Sequence, residues 1–162
     1  MAPRAAARLE LLGFRDVMHY GPGKLDWLAA GLPTEGENST RPRAGGVARK
    51  DIATCSVEDR VGDLRPGAGV AVVVDADGVV VGMLRAKELA SPPATRVEDV
   101  MVGGPSTFRP YVPIKEMADY MREHDLQSSP ITTSDGRLVG VLFRDDAVRE
   151  AEGCPDCSRR MI

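Results

Sequence analysis

Hydrophobic positions in this 162-residue chain change period several times, and each change marks an element. From Ala2 to Leu12, alanine and leucine recur with Leu9 and Leu12 on one face and Arg4, Arg8 and Glu10 elsewhere; this predicts a helix closed by Gly13. Phe14 to Tyr20 reads as a short strand, Gly21-Pro22-Gly23 breaks it, and Lys24 to Ala30 reads as a short helix stopped by Gly31-Leu32-Pro33. Thr34 to Gly46 is polar and punctuated by Pro42 and small residues, the composition of a linker. Val70 to Val74 and Val79 to Leu84 are β-branched runs joined by Asp75-Ala76-Asp77-Gly78, which predicts a hairpin. Arg85 to Ala90 then starts a helix that Pro92-Pro93 stops. Pro113 opens a further helix whose Ile114, Met117, Ala118 and Met121 share one face. Ser128 to Thr133 and Arg137 to Phe143 flank Ser134-Asp135-Gly136 as a second hairpin, and Arg144 to Ala151 forms the closing helix.

The second half repeats the first. Asp77/Asp135, Gly82/Gly140 and Glu88/Asp146 correspond at an offset of 58 residues. Upstream, Thr54/Thr107, Val61/Ile114 and Leu64/Met117 correspond at an offset of 53, so five residues are missing between Leu64 and Val70 and the first copy's opening helix is shorter. Each unit reads as strand–helix–strand–strand–helix. Neither copy buries its apolar face alone, so the working part is expected where the two meet. The expected division is an appendage over 1–36, a linker over 37–49, repeats over 50–95 and 96–152, and a flexible tail over 153–162.

Composition narrows the function. Apolar residues make up 43% and aromatics only 4%, so the core rests on Val, Leu, Ala, Ile and Met. The net charge of −3 is spread through interleaved charges, with no basic stripe for nucleic acid. No apolar run is long enough to cross a bilayer, and Glu10 argues against reading the start as a secretory signal. Three cysteines suit a reducing cytoplasm, and 17 arginines among 21 basic residues suggest a bacterial source.

The run Ser128-Ser129-Pro130-Ile131, then Asp135-Gly136-Arg137-Leu138-Val139-Gly140-Val141-Leu142 and a charged helix with Asp146, resembles the cystathionine-β-synthase (CBS) domain. Two copies resemble a Bateman module, and Val97-Glu98-Asp99-Val100-Met101 is similar to the segment that opens a second CBS motif. The resemblance implies an α+β fold, two β-α-β-β-α repeats about a pseudo-twofold axis, preceded here by a small αβα appendage. It also implies a non-catalytic sensor that holds an adenosine ligand (AMP, ADP, ATP or S-adenosylmethionine) between the repeats, with no resident cofactor, and a homodimer. A weaker resemblance covers Ala2 to Glu35, where Leu12-Gly13-Phe14-Arg15-Asp16-Val17 and Tyr20-Gly21-Pro22-Gly23-Lys24-Leu25-Asp26-Trp27 are similar to the C-terminal third of a rhodanese-like domain. In that family a cysteine nucleophile precedes a loop ending in arginine, the place of Arg4. No cysteine stands before Arg4, so sulfur transfer is not expected from this stretch.

The resemblance also marks the site. Its ribose-binding pattern runs from glycine through a hydroxyl residue to aspartate. Gly140 to Asp146 supplies the glycine and the acid, with Phe143 at the hydroxyl position and Arg144 beside it. Gly82 to Glu88 supplies glutamate, with Arg85 at the hydroxyl position. Phe143 would stack on a base and Arg85 would meet a phosphate. Thr107, Phe108 and Pro130 in the second unit, and Thr54 and Val72 in the first, are the remaining candidates. Read without a ligand, Asp146 and Glu88 are acids in the first turn of a helix, where the dipole favours them. Cys154-Pro155-Asp156-Cys157 offers two thiols where a structural zinc needs four ligands, so no metal site is expected. Cys55 reads as a buried filler, Trp27 as core, and His124 as a cap near a helix end. The competing reading is a dimerisation module with degenerate clefts; a third is the regulatory part of a sulfurtransferase.

Overall fold

The computed structural model describes residues 2–21, 23–29, 32–36 and 39–153. Cys154 and Cys157 lie outside the described residues. The appendage holds α1 (Ala2–Leu11) and α2 (Lys24–Ala29). Phe14 to Tyr20 is not a strand: no neighbouring strand among the described residues completes its hydrogen bonds, and Phe14 and Met18 are 61% and 91% exposed. Trp27 is only half-buried; it donates from Nε1 to the Pro33 carbonyl at 2.8 Å and meets Tyr20 edge to face, so it belongs to the appendage and not to a core.

In the first unit, β1 (Ala53–Cys55) pairs parallel with β2 (Ala71–Val74), and β2 pairs antiparallel with β3 (Val80–Leu84). The missing five residues reduce the opening helix to a single 3₁₀ turn, Val61–Asp63. Asp75 Oδ1 accepts the Asp77 and Val79 N–H groups at 2.9 Å each, and Gly78 at φ +81° completes the hairpin turn. The unit closes with α4 (Ala86–Leu89). In the second unit, α6 (Ile114–Glu123) buries Ile114, Met117, Ala118 and Met121 to 1% exposure or less, as the periodicity requires. β5 (Ser128–Thr132) and β6 (Leu138–Phe143) form its hairpin, and α7 (Arg144–Gly153) follows directly. Its first strand survives only as a parallel bridge between Phe108 and Ile131.

Two short segments trade places between the units. α3 (Ala44–Val47) lies in the stretch read as a linker, yet Ala44 and Ala48 are buried in the core beneath α6 and α7. Its equivalent, α5 (Val97–Val100), buries Val97 in the core of the first unit and leads into β4 (Val102–Gly103), which pairs with β3. The backbone bonds match residue for residue at the offset of 53. Ala44 N–H donates to Val112 O while Val97 N–H donates to Asp59 O, and Ile114 N–H donates to Pro42 O while Val61 N–H donates to Thr95 O. The linker reading of 37–49 is therefore corrected from Pro42 onward. Small residues there satisfy a close approach, since a Cβ on Gly45 would stand 2.5 Å from Pro110 Cβ.

The units meet at their hairpins. Val79 bridges Arg137, with Val80 N–H donating to Gly136 O and Leu138 N–H to Gly78 O, both at 3.1 Å. Those two residues are equivalent at the offset of 58, so the pseudo-twofold axis passes between them. Beside the axis, Val70, Val72, Met83 and Val141 form a buried cluster drawn from both repeats, with Ile52 and Phe143 packed at its margin. Fully burying each such side chain contributes about 1.5–3 kcal/mol, which is what holds the seam closed.

Candidate functional site

β strands alternate their side chains, and that alternation sorts the candidate residues. Val72 on β2 and Val70 just before it face the seam while Ala71 and Val73 join the first unit's own core. On β5, Ser128 and Pro130 are the equivalents of Val70 and Val72 and share their side of the sheet, whereas Ile131 joins the core under α6. Thr54 pairs across from Val72 and is exposed, and Thr107 is exposed in the equivalent place. Phe108 does not reach the seam: it packs under α6 with its ring 5.0 Å from that of Tyr120.

The second unit assembles an acid, an aromatic and two cations at one edge of the seam. β6 runs straight into α7, which sets Asp146 in the helix's first turn with its side chain 12% exposed. Arg49 Nε donates to Asp146 Oδ2 at 2.7 Å, and Arg149 lies 3.2 Å from Oδ1. The Arg49 guanidinium also covers the Phe143 ring, its central carbon 4.7 Å from the ring centroid. Arg49 is anchored at its backbone by reciprocal hydrogen bonds with Val141, each 2.9 Å. That contact explains Gly140, where a Cβ would stand 2.5 Å from the Arg49 carbonyl oxygen. The hydrogen bond from Arg49 holds the Asp146 carboxyl below the usual carboxylate range, and the same bond raises Arg49 above its ordinary value. A cleft of about 500 Å³ opens beside the acid, walled by Pro42, Arg43, Gly46, Val47 and Arg149.

Other candidates point elsewhere. Arg144 turns to the loop after α6, donating from Nη1 to Asp125 at 2.8 Å, so it does not join Asp146. Glu88 turns back on its own helix, its Oε2 accepting the Arg85 N–H at 2.9 Å. The equivalent of Arg49 in that half is Val102, so the two edges of the seam differ in chemistry. Arg49 carries no signal in the sequence motif because it lies 97 residues from its partner in a stretch of linker composition. Carrying the 53-residue offset upstream, which matches Arg43 to Arg96 and Val47 to Val100, would have found it. Ser128 opens the run that carries the resemblance but is not among the site candidates; it is 3% exposed, and its Oγ has no hydrogen-bond partner among the described residues. Cys55 is a filler as expected: 5% exposed, its thiol pushed up to about 11 by burial. His124 caps α6, its Nδ1 3.0 Å from the Tyr120 carbonyl oxygen.

Comparison with known proteins bears on this geometry. The CBS domain family model matches residues 97–153. The magnesium transporter MgtE of Thermus thermophilus is 34% identical over 87 residues, covering 52% of this chain and 19% of the transporter. The chain thus spans about a fifth of that relative's length. Among solved structures, the cytosolic domain of the Mg2+ channel MgtE in complex with ATP aligns with a TM-score of 0.60 at 24% identity, over 67% of this chain and 48% of that one. The CBS domain pair of protein MJ0100, in complex with 5′-methylthioadenosine and S-adenosylmethionine, aligns with a TM-score of 0.59 at 18% identity, over 70% of this chain and 98% of that one. Residues 97–153 are thus similar to a CBS domain, and the chain has the mixed α+β fold seen in solved CBS pairs.

Proposed function

We propose that this chain is a non-catalytic regulatory module that binds an adenosine-containing ligand at the Asp146 edge of the seam. The observation that carries the reading is the convergence, beside the cluster shared by both repeats, of a half-buried aromatic, a nearly buried carboxylate and arginines. Asp146 would accept the ribose hydroxyls, Ile52, Val70 and Phe143 would wall the purine, and Arg49, Arg43 or Arg149 would meet a phosphate. The fold is shared with CBS pairs solved with ATP and with S-adenosylmethionine, which supports the ligand class. Ligand binding would shift the population between two arrangements of the repeats, by no more than its difference in affinity for them. The test is thermal unfolding of the full chain with AMP, ADP, ATP and S-adenosylmethionine. A binding ligand raises the midpoint with the logarithm of its concentration, and a hundredfold excess over Kd stabilises by about 2.7 kcal/mol. No shift with any of them at millimolar concentration contradicts the proposal.

The second reading, an interaction module with degenerate clefts, is favoured by one observation: both acids are already engaged, Asp146 by arginines and Glu88 by its own helix. It predicts a homodimer whose mass and midpoint are indifferent to every adenosine ligand and to Asp146→Ala.

A further inference from the structure

The Asp146 edge carries its own competitor. Arg49 donates to the carboxylate oxygen that a ribose hydroxyl would need, and the same guanidinium lies across the Phe143 face on which a purine would stack. One side chain therefore stands in for both halves of a nucleoside, its N–H donors replacing the hydroxyls and its flat face replacing the base. The backbone of Arg49 is held by Val141 through both its N–H and its carbonyl, a close approach that Gly140 permits, so the side chain has an anchored base from which to swing. The side chain can leave, because it is 48% exposed while Asp146 is only 12% exposed.

We propose that Arg49 determines specificity at this site by excluding neutral nucleosides and admitting those that carry a phosphate. This rests on the reading of the Asp146 edge as a nucleoside site. A neutral nucleoside must displace the guanidinium from Asp146 and return it to water, losing a charge-assisted hydrogen bond and a cation–π contact. A phosphorylated nucleoside offers the displaced guanidinium a new anion a short swing away, so the pairing is exchanged and not lost. Two further cations, Arg43 and Arg149, stand in the wall of the adjoining cleft, where the phosphate of such a nucleoside would meet them. The opposite edge has Val102 in place of Arg49 and lacks this filter.

Titration calorimetry on the full chain with adenosine and with AMP tests the idea, in the wild type, Arg49→Gln and Arg49→Lys. Wild type should prefer AMP. Arg49→Gln should gain about fivefold or more for adenosine and lose most of the AMP preference, and Arg49→Lys, which keeps the charge, should retain that preference. Identical AMP-to-adenosine ratios in wild type and Arg49→Gln overturn the role of Arg49 and leave the nucleoside site standing. Binding of neither compound to any of the three proteins overturns the site itself, and this inference with it. Reversible unfolding of Arg49→Gln near the wild-type midpoint shows that the comparison is made on folded protein.

Discussion

Asp146 binds its proton weakly chiefly because Arg49 donates to it, with the positive charges of Arg49 and Arg149 adding to the effect against the cost of partial burial. A carboxyl whose folded pKa lies below its unfolded value, about 3.9, stabilises the fold above that value. The contribution is lost as pH falls through the depressed folded pKa. The midpoint gap between wild type and Asp146→Asn should therefore be full at pH 6 and narrow as pH falls below about 4. Scanning unfolding of both proteins from pH 6 into the acid range checks it; a gap that does not narrow at all would mean that the asparagine acts through packing and not through charge. At this scale the sequence marked Asp146 by the spacing of seven consecutive residues from Gly140, with Phe143 departing from the pattern at the hydroxyl position. It was silent on Arg49, and it misjudged Phe108 and Arg144, whose neighbours in sequence lie at the site while their own side chains turn to Tyr120 and Asp125.

Among the elements, those with a strong period were legible in the order of residues alone. α6 buries the four residues its 3.6-residue stripe names, and both hairpins turn at their Asp-Gly pairs. Elements made by tertiary contact were not. α3 has four residues, two of them glycine, and its helix exists because Ala44 is packed under α6 and α7 and bonded to Val112. The strand expected at Phe14 to Tyr20 fails for the converse reason, since no described strand pairs with it. Two glycines at equivalent positions test how tightly the exchanged segments are held. A Cβ at Gly140 meets the Arg49 backbone oxygen at 2.5 Å, while one at Gly82 meets the Met101 Sδ at 2.6 Å, the end of a flexible side chain. Gly140→Ala should cost about 1–3 kcal/mol and Gly82→Ala distinctly less, by denaturant unfolding. Equal costs would show that the segment after α3 yields as readily as a methionine side chain.

For the whole molecule, duplication explains more than any single element does. The offsets of 53 and 58 map the exchanged hydrogen bonds onto their twins and place Val79 and Arg137 against each other on the axis. Symmetry of the backbone is nonetheless joined to asymmetry of chemistry. One edge pairs Asp146 with Arg49 and Phe143, and the other offers Glu88, Arg85 and Val102, with the glutamate bound to its own helix. Such a module would have one competent edge, where Arg49, Phe143 and Asp146 of the second unit stand beside Ile52 and Val70 of the first, so that a ligand there would bridge the two repeats. Calorimetric titration of AMP into the wild type and Asp146→Asn is the most direct test of that claim. The account predicts one site per chain in the wild type and at least about tenfold weaker binding in the variant, a loss of roughly 1.4 kcal/mol. Equal affinity in the two proteins, or two equivalent sites per chain, would contradict it.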